Sequence, residues 1–274
     1  MSEGLAPSEQ VPTYEFGKNW AQFVDSSYSE ERLRISQEHL LDFLRLRDLT
    51  GHTFMDVGCG SGLHSLAAHR AGADQVISLD VDEDSVATTR LLWEREGRPR
   101  NWSIHHGSVL DKDFLAGLEP VDILYSWGVL HHTGDMWQAI RNAAELMKPD
   151  GLMYIALYTT THKSAYWIEV KKRYNLAGKW ERRWIELVYL LRHRILIDLM
   201  ARQSTFKLIR EYEKNRGMEF MTNVRDWLGG WPYEDCSIDE FVDFAHDDLE
   251  AELIRIKTGE ACTEYVLKKR HRAT

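Results

Sequence analysis

The chain holds 274 residues, of which 43% are hydrophobic and 28% charged, with a formal net charge of −9. That length and composition admit one α/β domain with an elaboration, or two small domains, and a core that needs no disulfide or metal staple. The acidic balance argues against general nucleic-acid binding, and no apolar run reaches the ~18 residues a membrane span requires.

Three cysteines, Cys59, Cys236 and Cys262, form no C-x-x-C pair. A sparse, odd count argues against structural zinc and suits a reducing cytoplasm. Residues 1–12 are polar and acidic, which reads as a disordered stretch and not as a signal peptide. An aromatic-rich arm follows, from Tyr14 to Phe23. Ser29–Arg47 reads as a helix with Leu33, Ile35, Leu40, Leu41, Phe43 and Leu44 on its apolar stripe. From Thr53 the pattern alternates. The expected strands are Thr53–Val57, Gln75–Asp80, Trp102–His106, Val121–Ser126 and Gly151–Tyr158. The expected helices between them are Gly62–Arg70, Ser85–Glu96 and Met136–Met147. Such alternation predicts a parallel sheet with crossover helices.

After Tyr158 the alternation stops, and residues 162–216 read as largely helical with a break at Ala177-Gly178. Glu181–Met200 predicts a basic amphipathic helix whose Trp184, Leu187, Leu191 and Ile195 stripe packs on the sheet domain or on a second subunit, with a membrane-surface helix as the rival reading. Asp226 to Tyr233 breaks the structure through Gly229, Gly230 and Pro232. Ser237-Ile238-Asp239-Glu240 is a capping box that opens a helix ending near His246. Glu252–Lys257 and Cys262–Lys268 read as two closing strands. Charge is uneven along the chain. Residues 163–216 carry 14 Lys/Arg and 6 Asp/Glu, a net of +8, whereas the remainder carries 20 and 37, a net of −17. That asymmetry predicts a separate partner or an anionic substrate for the basic segment, drawn by the cluster Lys163, Lys171, Lys172 and Arg173.

The chemistry centres on Phe54-Met55-Asp56-Val57-Gly58-Cys59-Gly60-Ser61-Gly62. An apolar run leads into glycines at alternate positions and then a helix, a strand–turn–helix unit suited to a nucleotide. Glycine there tolerates positive φ and lets a ligand approach the backbone. A dinucleotide fold wants a third glycine where this chain has Leu63. Asp80, about 20 residues past the turn, can accept both ribose hydroxyls, with Asp82 as fallback or as a helix cap.

Asp56-x-Gly58-x-Gly60-x-Gly62 resembles motif I of the class I S-adenosylmethionine (SAM) methyltransferases. The stretch Thr53–Tyr158 is similar to their ubiquinone-biosynthesis O-methyltransferase-like branch. The resemblance implies an α/β fold: a Rossmann-like, seven-stranded, mostly parallel sheet with an antiparallel C-terminal strand, an N-terminal cap and a helical insertion. It divides the chain into an arm and cap (1–50), a SAM-binding core (51–158), a helical substrate-covering insertion (159–236) and a closing helix with strands (237–274). SAM is the implied cofactor and S-adenosylhomocysteine the product. The implied reaction is direct in-line methyl transfer to a small-molecule acceptor, expected to be anionic. The residues implied to hold SAM are Tyr14, Lys18 and Trp20 of the arm, then Asp56, Gly58, Cys59, Gly60 and Gly62, then Asp80 and Val81. Ser108 and Val109 stand at the adenine edge, where the family's usual carboxylate is absent, and Ser126 and Trp127 end the fourth strand. His131, His132 and His162 are the candidates for a base, and Tyr158, Lys163 and Tyr233 for contact with the acceptor. No metal is expected, because no carboxylate sits at ligand spacing beside the paired histidines. No nucleic-acid partner and no stable membrane insertion are expected, a homodimer stays open, and the expected location is cytoplasmic. A non-catalytic SAM-binding partner subunit and a nucleotide-dependent oxidoreductase are the alternatives.

Overall fold

The computed structural model describes residues 11, 12, 14, 29–192, 220–259 and 262–270. In chain order the elements are α1 (Glu30–Leu44), β1 (Thr53–Val57), α2 (Leu63–Arg70), β2 (Gln75–Asp80), α3 (Glu83–Arg95), β3 (Trp102–His106) and α4 (Lys112–Leu115). They continue with β4 (Val121–Trp127), a 3₁₀ turn (Leu130–His132), α5 (Met136–Glu145), β5 (Met147–Tyr158), α6 (Ser164–Leu176), α7 (Lys179–Leu190) and α8 (Phe220–Gly229). The last three are α9 (Ile238–Asp247), β6 (Ala251–Thr258) and β7 (Cys262–Lys269). The chain divides into two compact units, Met1–Tyr14 with His162–Tyr233, and Glu15–Thr161 with Glu234–Thr274.

The sheet unit has seven strands in the order β3-β2-β1-β4-β5-β7-β6. β1 to β5 run parallel, and β7 lies antiparallel between β5 and β6. This is the expected Rossmann-like α/β sheet. The order reverses between β1 and β4, which opens a crevice at their C-terminal ends. Apolar residues on both faces explain why the strands read as continuous apolar runs. Met55, Val57, Leu124 and Ile155 face one way, against Ala139 and Ile140 of α5 and Phe241 of α9. On the other face Tyr125 lies 5.9 Å from Phe54 and 5.0 Å from Tyr154, and Phe43 of α1 packs 4.6 Å from Tyr154. Burial of each such side chain contributes about 1.5–3 kcal/mol. Several helix starts are set by side-chain caps. Ser29 Oγ accepts from Arg32 N at 3.3 Å, and Ser237 and Glu240 form the reciprocal box at 3.1 and 2.7 Å.

Some boundaries differ from expectation. α5 stops at Glu145, and Lys148 to Gly151 belong to β5. The Lys148 ammonium sits 2.8 Å from Asp122 Oδ2, which ties that stretch to β4. The short α4 was hidden in a turn-like sequence, yet Asp111 caps it by accepting from Phe114 N at 3.0 Å. α8 continues through Asp226 and Trp227, so the glycines end a helix where a break of all eight residues was expected. The C-terminal part of the helix expected to reach Met200 lies outside the described residues.

In the helical unit, Tyr174, Val224 and Leu228 form a buried centre. The described part of the stripe expected for α7 is not buried within this chain. Trp184, Leu187 and Leu191 are exposed, at 61%, 45% and 42%, while Glu186 is buried. The reason is hydrogen bonding. Arg182 donates from Nε to Tyr174 O (3.0 Å) and from Nη2 to Asn175 O (2.9 Å), satisfying carbonyls at the end of α6. Glu186 Oε1 accepts from the Tyr174 hydroxyl at 2.8 Å. The polar face of α7 is therefore the one that meets α6. Lys171 is also corrected: it is fully buried, donates to Trp227 O, and faces the rings of Trp227 (4.4 Å) and Tyr233 (5.1 Å). It is therefore not part of a surface cluster that attracts substrate.

Candidate functional site

The turn between β1 and α2 holds Gly58, Gly60 and Gly62 at φ +77°, +52° and +76°. Side chains are strained in that region. Packing reinforces the choice. A Cβ on Gly58 would collide with the Val129 side chain, and one on Gly62 would lie 2.8 Å from Thr89 Cγ2. Thr89 Oγ1 also donates to Gly60 O at 3.2 Å and sits 3.3 Å from Cys59 Sγ. Cys59 is buried, which pushes its thiol pKa well up. The amides of Gly58 and Cys59 donate to Leu79 O at 2.8 and 3.1 Å, and Gly62 N donates to Cys59 O at 2.8 Å. The protein itself fixes this turn against the end of β2.

Asp80 ends β2. Its Oδ2 accepts from Gly60 N and its Oδ1 from Asp82 N, both at 2.9 Å. Burial raises its pKa, and these amides oppose the rise. Each carboxylate oxygen has room for a further donor. Asp82 caps α3, accepting from Asp84 N (2.9 Å) and Ser85 N (3.2 Å). Val81 is 67% exposed beside Asp80, and Trp127 is 43% exposed at the end of β4. These place an acid and two apolar surfaces around the C-terminal ends of β2 and β4.

Other expected ligand contacts turn inward. Asp56 is 2% exposed, and its Oδ2 accepts from Ser65 Oγ at 2.6 Å. Ser78 Oγ donates to Ser65 Oγ at 2.7 Å, and Trp102 Nε1 donates to Ser78 Oγ at 2.8 Å. Burial pushes the Asp56 carboxyl up to about 7, the Ser65 bond pulls it down, and the nearby Asp80 charge pushes it further up. Asp56 therefore holds α2 to β1 beneath the turn. Sequence reasoning missed this chain, although a serine inside the apolar run of β2 was its signal. Ser126 is fully buried, and its hydroxyl donates to Val57 O at 2.8 Å, pinning β4 to β1. Val109 is buried in the core. Ser108 Oγ accepts from Leu110 N at 3.1 Å and Ser108 O from Asp111 N at 3.0 Å, which makes a turn.

The 3₁₀ turn after β4 brings three rings together. His131 lies 4.4 Å from His132 and 3.9 Å from Tyr158, and His132 meets Tyr158 edge-on at 5.3 Å. His131 is fully buried, whereas His132 and Tyr158 are partly exposed. His131 O accepts from Glu234 N at 3.0 Å, and Glu234 Oε2 accepts from Met136 N at 3.0 Å, which fixes the turn. His162, Lys163 and Tyr233 belong to the helical unit. His162 and Lys163 are exposed there, and Tyr233 is buried against Lys171. Tyr14 belongs to it too: its N donates to Trp231 O at 3.0 Å, its hydroxyl to Asp226 Oδ1 at 3.3 Å, and its ring fills the space a Cβ on Gly229 would take. Lys18 and Trp20 lie outside the described residues. Among the described residues no group of three His, Cys, Asp or Glu side chains is placed to hold a metal.

Residues 54–151 match the methyltransferase-domain family. The chain is 28% identical over 142 residues to a ubiquinone biosynthesis O-methyltransferase of Parvibaculum lavamentivorans, covering 52% of this chain and 54% of that one. It is 31% identical over 116 residues to a ribosomal protein L11 methyltransferase of Tolumonas auensis, covering 42% and 37%. The chain thus spans about half the length, or less, of the curated relatives it matches. Its fold is similar to that of magnesium protoporphyrin IX methyltransferase from Synechocystis, solved with bound S-adenosylhomocysteine. That match has a TM-score of 0.53 and 13% identity, covering 93% and 94% of the two chains.

Proposed function

We propose that this chain, whose residues 54–151 form a methyltransferase domain of the class I SAM-dependent type, transfers the methyl group of SAM to a small anionic acceptor. The observation that carries the reading is the pairing of Asp80 with the glycine turn. A buried carboxylate is held by Gly60 N and Asp82 N, keeps acceptor capacity toward the crevice, and stands next to exposed Val81. A ribose diol and an adenine face fit that combination. Bound SAM supplies an activated, sulfonium-linked methyl group, and S-adenosylhomocysteine is the product.

The chain's own work is then to align and to exclude water. Trp127 walls the end of β4. For a hydroxyl acceptor, a ring nitrogen of His132 takes the proton, because His132 is the partly exposed member of the pair. His131, tilted against it, and Tyr158, edge-on to it, hold its ring by packing. An oxidoreductase reading is not favoured, since Leu63 occupies the position of the third dinucleotide glycine and begins α2.

Calorimetry with SAM and S-adenosylhomocysteine tests the site. Both should bind. Gly60→Val should abolish binding through backbone strain, and Asp80→Ala should weaken it by about 1.5–3 kcal/mol, the worth of bonds to a charged group. Unchanged affinity in both folded variants rules the site out. A methyl-mass gain on carboxylate- or phosphate-bearing acceptors, lost in His132→Ala, tests the chemistry.

A further inference from the structure

We infer that the outer face of α7 docks on an anionic phospholipid surface. Trp180, Trp184, Leu187 and Leu191 recur at helical spacing and are 81%, 61%, 45% and 42% exposed. They form one narrow apolar stripe, and Leu176 at the end of α6 is 61% exposed as well. This face is not surplus from a poorly packed helix. Arg182 and Glu186 anchor the opposite face through hydrogen bonds to α6, so the stripe is held outward.

The chemistry of the occupant follows from what flanks the stripe. The Arg183 guanidinium lies 5.6 Å over the Trp180 ring, and Lys179 and Arg192 bracket the helix. The segment 163–216 has a net charge of +8 in a chain whose remainder is −17. Exposed tryptophan and leucine set among arginines suit the boundary between lipid headgroups and acyl chains. A second copy of the chain meeting this one through the same patch would place arginine against arginine. Beside the stripe, Trp184, Trp167, Tyr189, Arg173 and Arg192 line an open cleft of about 250 Å³. An apolar chain with an anionic head matches a recess of that composition. Among the described residues no helix is long and apolar enough to cross a membrane, so α7 would lie on the surface.

Sedimentation of the full-length protein with vesicles tests this. One set is phosphatidylcholine alone and the other contains phosphatidylglycerol. The protein should pellet with the anionic vesicles only, and less so at high salt, because screening shortens the attraction to about 8 Å at physiological ionic strength. The double variant Trp180→Ser/Trp184→Ser should lose about tenfold or more of the partitioning, with unchanged melting temperature and SAM affinity. Arg183→Gln should reduce the salt-sensitive part. Failure to pellet with anionic vesicles, or equal pelleting by the double variant, overturns the inference. So does a wild-type dimer in ultracentrifugation that the double variant converts to monomer, since the stripe's occupant is then a second copy.

Discussion

Asp56 stands in the first position of the glycine motif, yet its carboxylate turns into the protein. It closes a chain of buried hydrogen bonds from Trp102 through Ser78 and Ser65. Its proton is held more tightly in the folded chain, at about 7, than at the ordinary value of 3.8. As pH rises, the unfolded chain gives up its proton first, so stability falls through this window and levels off above the folded value. Asp56→Asn keeps the shape and an acceptor for Ser65 without the slope. The stability of the variant relative to the parent should therefore rise by on the order of 3 kcal/mol between about pH 4 and pH 8. Urea melts across that range measure the difference, and parallel pH profiles for the two proteins would contradict the assignment. A partner distinguishes this residue from Asp80. Asp80 is held by backbone amides at the edge of the crevice, and Asp56 is held by a side chain in the core.

Among the elements, α7 separates what periodicity can say from what it cannot. Its amphipathic pattern correctly gives a helix, but hydrophobicity alone does not tell which face meets α6. The deciding interactions are with carbonyls at the end of α6 and the Tyr174 hydroxyl, which a hydrophobic pattern does not record. The observed orientation makes an unusual pair of expectations. Arg182→Ala should cost about 1–2 kcal/mol by leaving two helix-end carbonyls without their donor. Trp184→Ser, on the exposed face, should stay within about 1 kcal/mol of the parent. Thermal melts of the two variants measure this, and a larger loss for Trp184→Ser would return the stripe to the core. The parallel strands were legible throughout, since an apolar run between a helix and a glycine or acid has few other readings. The glycine turn was legible as a motif. Val129 and Thr89, which shape it, were not, because they reach it only through the crossovers of β4 and α3. The depth of His131 and Ser126 depended likewise on neighbours from distant strands.

At the scale of the whole molecule, charge is the property that the composition conceals. A net of −9 divides into a basic segment of +8 and a remainder of −17. The anionic acceptor proposed above would be repelled by the average and attracted by the segment, so its encounter rate would depend on where positive charge stays exposed. Lys171 is withdrawn into the helical unit, where burial lowers its pKa to about 7. Lys172 lies 3.3 Å from Glu169, and Arg173 lies 2.8 Å from Glu181, which offsets part of their field. Lys163 is exposed at the start of α6 and, like Lys172 and Arg173, contributes to the field of the basic segment. Replacing Lys163 with glutamine should raise the KM for a carboxylate or phosphate acceptor by about two- to tenfold at low salt, corresponding to about 0.4–1.4 kcal/mol, and leave the KM for SAM unchanged. The effect should shrink as ionic strength rises, because a Debye length of about 8 Å at 0.15 M falls to about 3 Å at 1 M. Lys171→Met serves as the contrast, since a fully buried lysine contributes to folding of the helical unit and should alter its melting temperature without this salt dependence. Equal KM values for the parent and Lys163→Gln at every salt concentration, or equal turnover of neutral and anionic acceptors, would remove charge from the recognition of the acceptor.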